Sequence, residues 1–238
     1  MHTTAVIVQS NYLPWKGYFD LMRQADVFVV YDDVQYTRRD WRNRNVIKTP
    51  QGLHWLTVPV QSKGQYEQNI DKITVSSPDW IEKHWKTIAM SYGKSPGFPE
   101  YGTAIQTMLH ACAGHRLLSE INRRLIQGVA ELLGIRTPIV QSSSYGKVAG
   151  KTENLVHLCR AVGATRYLSG PAAKSYLDPT LFASAGIGLT YMDYSGYLPY
   201  EQPHGPFNHF VSVIDLLMST GQKAAGYLIQ QEPCRDVR

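Results

Sequence analysis

The stretch "DVFVVYDDVQY" closes an apolar run with two adjacent carboxylates, Asp32 and Asp33. Carboxylates directly after a buried strand suit two kinds of chemistry, proton abstraction as a general base or ligation of a hard metal ion. In extended backbone successive side chains point to opposite faces, so one of the pair faces a site and the other does not. A helix cap with one solvated partner is the plain alternative. The run "RRDWRNRN", residues 38–45, follows with four arginines. Arginine makes bidentate contact with phosphate or carboxylate, so a nucleotide, a sugar phosphate or RNA would suit this run, as would a solvated turn paired with Asp40. Gln35, Trp41, Arg42, Asn43 and Arg44 are counted here with the binding residues. Upstream, "QSNYLPWKGY" places Gln9, Asn11, Tyr12, Trp15, Lys16, Gly17 and Tyr18 between an apolar strand and a helical pattern. Aromatic walls with a few polar groups are what a ring-bearing ligand needs. Trp15 and Tyr18 would serve equally as a staple at the start of the helix. Downstream, "SGPAAKSYLD" offers Ser169, Gly170, Lys174 and Tyr176, either an anion-holding turn at a helix start or a simple turn. Gln202 and His204 lie in "DYSGYLPYEQPHGPFNH", where a histidine is either structural or part of a site.

These segments need elements to bring them together. Short apolar runs at Val6–Val8, Val27–Tyr31, "TPIVQSSS", "TRYLSG" and "IGLTYMDY" alternate with helical patterns at Gly17–Gln24, "TENLVHLCRAVGA", "DPTLFASAG" and "NHFVSVIDLLMSTG". That rhythm predicts an α/β fold, a Rossmann-like and mainly parallel sheet with flanking helices. "NVIKTPQGLHWLTVPV" predicts an inserted hairpin turning at Thr49-Pro50-Gln51-Gly52, within an insertion at about 46–76; a helical insertion follows at about 78–134. We expect residues 1–238 to form a single domain. In an open parallel sheet, ligands bind at the carboxyl ends of the strands. Each polar and aromatic segment above follows a strand, so all would converge on one rim.

Composition narrows the classes. With 238 residues, 43% hydrophobic and 18% charged, the chain has an ordinary globular balance. No apolar run is long enough to span a bilayer and the first residues lack a basic, apolar leader pattern, which predicts a cytoplasmic protein without a membrane span. Cys112, Cys159 and Cys234 are widely spaced, which argues against a disulfide framework or a cysteine metal site. His84, His110, His115 and His157 form no HExxH pattern, so no histidine metal site is expected. The formal charge of +5 is modest for a nucleic-acid binder. GxGxxG, GxxxxGK[ST] and GxSxG are all absent.

The blocks "QSNYLPWKGYFDL", "ADVFVVYDDVQYTRRDWRNRN", "TENLVHLCRAVGATRYLSGPAAKSYLD" and "PFNHFVSVIDLL" together resemble the WbqC-like family, from about residue 5 to 221. One departure is Gln9-Ser10, where the family pattern commonly has Gln-Pro. The resemblance implies work on an activated sugar or related metabolite in surface-polysaccharide (O-antigen) biosynthesis: an aminoacyl or acyl transfer onto an amine. On that reading Asp32 or Asp33 takes the amine proton, and Lys16, Arg42 and Arg44 neutralise phosphate. Tyr12, Trp15 and Tyr18 stack on a base or sugar. Ser169, Gly170 and Lys174 hold a second anionic group, and Gln202 and His204 close the cleft. The layout around Trp15-Lys16-Gly17-Tyr18 is also similar to nucleotidylyltransferase-like folds, which carry His-x-Gly-His there; both histidines are absent. That second likeness implies a nucleotide, ATP or a nucleotide-sugar with Mg²⁺, as cofactor or substrate. A tRNA- or partner-binding protein without catalysis is the third expectation, less favoured than a phosphate-bearing small molecule.

Overall fold

The structure, a computed structural model, describes residues 2–64 and 67–228. Cys234 lies outside them. Five strands form the central sheet. In chain order they are β1 (Thr4–Val8), β2 (Val27–Val30), then, after four short strands of the insertion, β7 (Ile139–Gln141), β8 (Arg166–Ser169) and β9 (Gly188–Tyr191). They lie side by side as β7-β2-β1-β8-β9, and every pairing is parallel. Chain order therefore runs outward from β1 in both directions, and the direction of winding reverses between β1 and β8, where such sheets open a crevice at their carboxyl ends.

Period-two alternation in the strands separates two apolar clusters. Val6, Phe28, Val30 and Leu168 point to one face, where they join α1 (Lys16–Arg23), α2 (Trp80–Tyr92), α3 (Phe98–His110), α4 (Leu118–Leu132) and, later in the chain, α7 (Val213–Thr220). Ala5, Ile7, Val29 and Tyr167 point to the other, against α5 (Lys151–Ala161) and α6 (Pro179–Ser184). Burial on both sides is why "VFVV" reads as an unbroken apolar run.

The insertion begins with β3 (Arg44–Thr49) and β4 (Gly52–Thr57), an antiparallel hairpin turning at the expected residues. Two two-residue strands follow, β5 (Val60–Gln61) and β6 (Thr74–Val75), paired antiparallel. The last helix differs from the sequence reading. It starts at Val213 on a Ser212 cap, whose hydroxyl accepts from Ile214 N–H, instead of at Asn208. Residues 192–212 form an irregular strap because Pro203 and Pro206 interrupt any helix and Tyr197, Tyr200 and Gln202 are drawn onto buried carboxylates. The helical pattern "TENLVHLCRAVGA" likewise begins earlier than its first residue, as α5 already includes Lys151. Gly150, at φ 90°, is the cap, and the Thr152 hydroxyl accepts from Asp178 N–H.

Two glycines are fixed by close approach. At Gly17 a side chain would meet the Trp15 indole, so the space above this helix start is filled by the protein's own ring. At Gly97, the cap of α3, a Cβ would sit 2.1 Å from the Leu217 carbonyl oxygen of α7. The Gly97 N–H donates to the Met218 carbonyl at 2.8 Å, and that bond holds α3 against α7. Gly97→Ala should force the helices apart and lower the unfolding free energy by about 2 kcal/mol or more, measured by urea titration.

Candidate functional site

At the carboxyl end of β2 the alternation continues through Tyr31, Asp32 and Asp33. Asp32 points to the insertion side and is 6% exposed. Its Oδ1 accepts from the Ser10 N–H at 2.8 Å; its Oδ2 is buried without a hydrogen-bond partner. Asp33 turns the other way, accepting from the Ser142 hydroxyl through its carboxylate and from Lys147 Nζ through its backbone oxygen. Only Asp32 lines a small polar pit of about 30 Å³, together with Asp71, Ser119, Glu120, Arg123, Gln141, Ser142 and Ser143. Burial pushes the Asp32 carboxyl up to about 6. The Ser10 hydrogen bonds and the Arg42 charge oppose that rise, and the Asp71 charge adds to it.

Ser10 and Asn122 tie this pit to the neighbouring loops. The Asn122 side chain, on α4, donates to Ser10 Oγ at 3.1 Å and to the Arg42 carbonyl at 2.8 Å. Arg42 in turn donates to the Asn11 side chain and lies 3.6 Å from Asp40. On the far side of Asn11 is a second, larger pocket of about 150 Å³, lined by Asn11, Pro14, Trp15, Trp41, Asn45 and Phe210. A cavity of that size takes a benzene-sized ring. Asn45 holds the Tyr12 and Leu13 carbonyls through Nδ2 and its own chain through Oδ1, so it is a rigid wall. Trp41 and Trp55 are 42% and 44% exposed and lie 5.5 Å apart, with the Arg44 guanidinium 4.2 Å above the Trp55 ring.

A third group lies beneath the strap. Asp215, fully buried in α7, accepts from Tyr92 at 2.7 Å, Tyr200 at 2.8 Å and Gln202 at 2.7 Å. Burial raises its carboxyl; the hydrogen bonds and Lys48 oppose the rise. Lys48 Nζ donates to Gln202 at 2.9 Å and to the Pro206 carbonyl at 2.5 Å. His204 meets the Ser91 carbonyl at 2.7 Å. Lys16 is enclosed here, its Nζ 4.4 Å from the Tyr197 ring centre, and burial lowers it to about 8 against the pull of Asp20 and Asp215.

Of the residues singled out in the sequence, Asn11, Trp15 and Trp41 line the ring pocket, and Arg42 sits directly behind Asn11. Asp32 lines the pit and Asp33 supports its neighbour loop. Tyr12 is core: its hydroxyl meets His84 at 2.8 Å and its ring meets Trp80 edge-on. Tyr18 is buried on Phe28, with its hydroxyl donating to the Gln9 carbonyl. Asn43 is buried and donates to the Val58 carbonyl; Gln35 is exposed and bridges to Asn69. Ser169, Gly170, Lys174 and Tyr176 lie together at the end of β8, where a Cβ on Gly170 would meet the Tyr194 hydroxyl at 4.0 Å and Lys174 approaches Tyr191. Gln202 and His204 belong to the strap network and Gly17 lies under Trp15. Asp71, Arg123, Asn122, Lys48, Asp215 and Phe210 were not foreseen. Asp215 alone had a signal, an acid inside the apolar run "SVIDLLM". Among the described residues no group of three or more His, Cys, Asp or Glu is placed to hold a metal ion, and no helix is long and apolar enough to cross a membrane.

The sequence model of the WbqC-like protein family matches residues 9–227. An uncharacterized protein of Mycobacterium tuberculosis, Rv1507c, is 46% identical over 222 residues, covering 93% of this chain and 96% of its own length. No solved structure matches the chain significantly.

Asp215→Ala would leave the buried Tyr92 and Tyr200 hydroxyls without their acceptor, while Gln202 keeps the Asn208 carbonyl. It should cost about 3–5 kcal/mol in urea unfolding and open residues 192–212 to limited proteolysis.

Proposed function

The chain belongs to the WbqC-like protein family, and on that footing we propose that it is a cytoplasmic, single-domain biosynthetic transferase that moves an aminoacyl or acyl group onto an amine of a sugar or related metabolite. The observation that carries the reading is Asp32: a buried carboxyl after a parallel strand, anchored by one oxygen and unpartnered at the other, with an affinity for protons near neutrality. A base of that kind suits proton transfer at cellular pH. The amine nitrogen attacks the carbonyl carbon of an already activated donor and the C–N bond forms. The leaving group departs with the electrons of its bond to that carbon, and the nitrogen's proton passes to Asp32 Oδ2. The pocket of Trp15, Trp41 and Phe210 seats a ring of donor or acceptor. Arg42 and Arg44 lie beside that pocket for an anionic group. The buried free thiols Cys112 and Cys159 fit a reducing compartment.

A nucleotide-dependent ligase or nucleotidylyltransferase is a second reading, favoured by the winding reversal between β1 and β8. It requires ATP to be consumed in step with product and the reaction to depend on Mg²⁺; an activated-donor transferase requires neither.

Asp32→Asn decides the first reading. It should cut turnover by about 10²- to 10⁴-fold with ligand binding in the ring pocket preserved, and full turnover in this variant would remove Asp32 as the base. The same variant reports on stability. A carboxyl held near 6 instead of its ordinary 3.8 binds its proton more tightly in the folded state, so its contribution is largest in acid and is lost as pH rises through 6. The wild type should therefore lose about 1 kcal/mol between roughly pH 5 and pH 7 that Asp32→Asn does not lose, read from urea titrations.

A further inference from the structure

We infer that the pit beside Asp32 is a seat for a primary ammonium group, with Asp71 as its second anchor, so that the acceptor is a primary amine and not a more substituted one. Asp32 and Asp71 both line this pit, and each has one buried carboxylate oxygen without a hydrogen-bond partner, Asp32 Oδ2 and Asp71 Oδ1; the other Asp71 oxygen lies 3.5 Å from Lys72 Nζ. They come from separate elements, the end of β2 and the turn Ile70–Lys72, which is fastened there by the Asp71 N–H donating to the Asp32 carbonyl at 2.9 Å. Buried acceptors without donors are costly, and a pair lining one cavity asks for a ligand rich in N–H groups and positively charged. An ammonium head offers three donors, which serve both carboxylates and a wall hydroxyl such as that of Ser143.

Size and charge choose the class of cation. A volume of about 30 Å³ admits an ammonium head and excludes one carrying three or four methyl groups. Arg123, from α4, stands in the same wall. A guanidinium beside the seat repels a dication about twice as strongly as a monocation at the same distance. Glu120 is a third acid in the wall, but among the described residues no group of three or more His, Cys, Asp or Glu is placed to hold a metal ion. The inference rests on reading this pit as the acceptor end of the transferase. Amine binding is measured without any donor, so loss of one claim leaves the other standing.

The test is thermal unfolding of the full chain in mildly alkaline buffer. Methylammonium chloride is compared with sodium chloride at equal ionic strength, with tetramethylammonium chloride and magnesium chloride in parallel. Methylammonium should raise the melting temperature saturably, with an apparent affinity at least about tenfold above that for tetramethylammonium. Asp71→Asn and Asp32→Asn should each weaken it by about tenfold or more through loss of a charge-assisted hydrogen bond, and Asp79→Asn on the α2 cap should leave it unchanged. Should Asp71→Asn fail to fold, the wild-type ratio of methylammonium to tetramethylammonium decides alone. Equal shifts with all cations, a shift with Mg²⁺ alone, or no methylammonium shift up to about 0.1 M would each overturn the inference.

Discussion

The hydrogen bond from the Ser10 N–H to Asp32 Oδ1 is the contact on which the site depends. It joins the loops that follow β1 and β2, just beyond the last rung of their pairing. Asn122 extends the joint, gripping Ser10 Oγ and the Arg42 carbonyl, so α4 of the insertion is fastened to the rim of the sheet. Because one oxygen of Asp32 is spent on this anchor, the other has a fixed direction. Burial then does the rest: it leaves that oxygen unsatisfied and raises its proton affinity. Structural restraint and chemical readiness thus come from a single carboxylate.

The insertion is what turns an open rim into enclosed sites. β3 brings Asn45 against the first loop, β4 brings Trp55 against Trp41, the turn Ile70–Lys72 supplies Asp71, and α4 supplies Arg123 and Asn122. The strap after β9 closes the arrangement from the opposite side. It is held by Asp215 and Lys48 beneath it, and it ends at Phe210 in the ring pocket. The pit is small, polar and charged, and the ring pocket is larger and aromatic. Arg42, donating to the Ser10 carbonyl and to the Asn11 side chain, links the loop that anchors Asp32 to the wall of the ring pocket.

Much of the fold was legible because its signals are local. Unbroken apolar runs marked the doubly covered strands, Asp178-Pro179 marked the start of α6, and the alternation through Asp32-Asp33 foretold that the two would face apart. What escaped was set by distant contacts. The strap carries residues that suit a helix start, yet its tyrosines are held by Asp20 and Asp215 from elsewhere in the chain. Tyr12 sits in a segment full of ligand-like residues, and only the packing of α2 beside it shows that it belongs to the core. Asp71 and Arg123 lie in unremarkable sequence, and nothing local announces that a turn and a helix will bring them to β2.

The most direct test of this account is the titration of the Asp32 carboxyl followed by carbon NMR, assigned by comparison with Asp32→Asn. The account predicts a midpoint near 6 that falls when Asp71 is replaced by Asn, because that carboxylate's repulsion is removed. A midpoint near the ordinary 3.8, unmoved by the change at Asp71, would mean that Asp32 is a solvated structural acid and that the pit beside it has no claim to the chemistry.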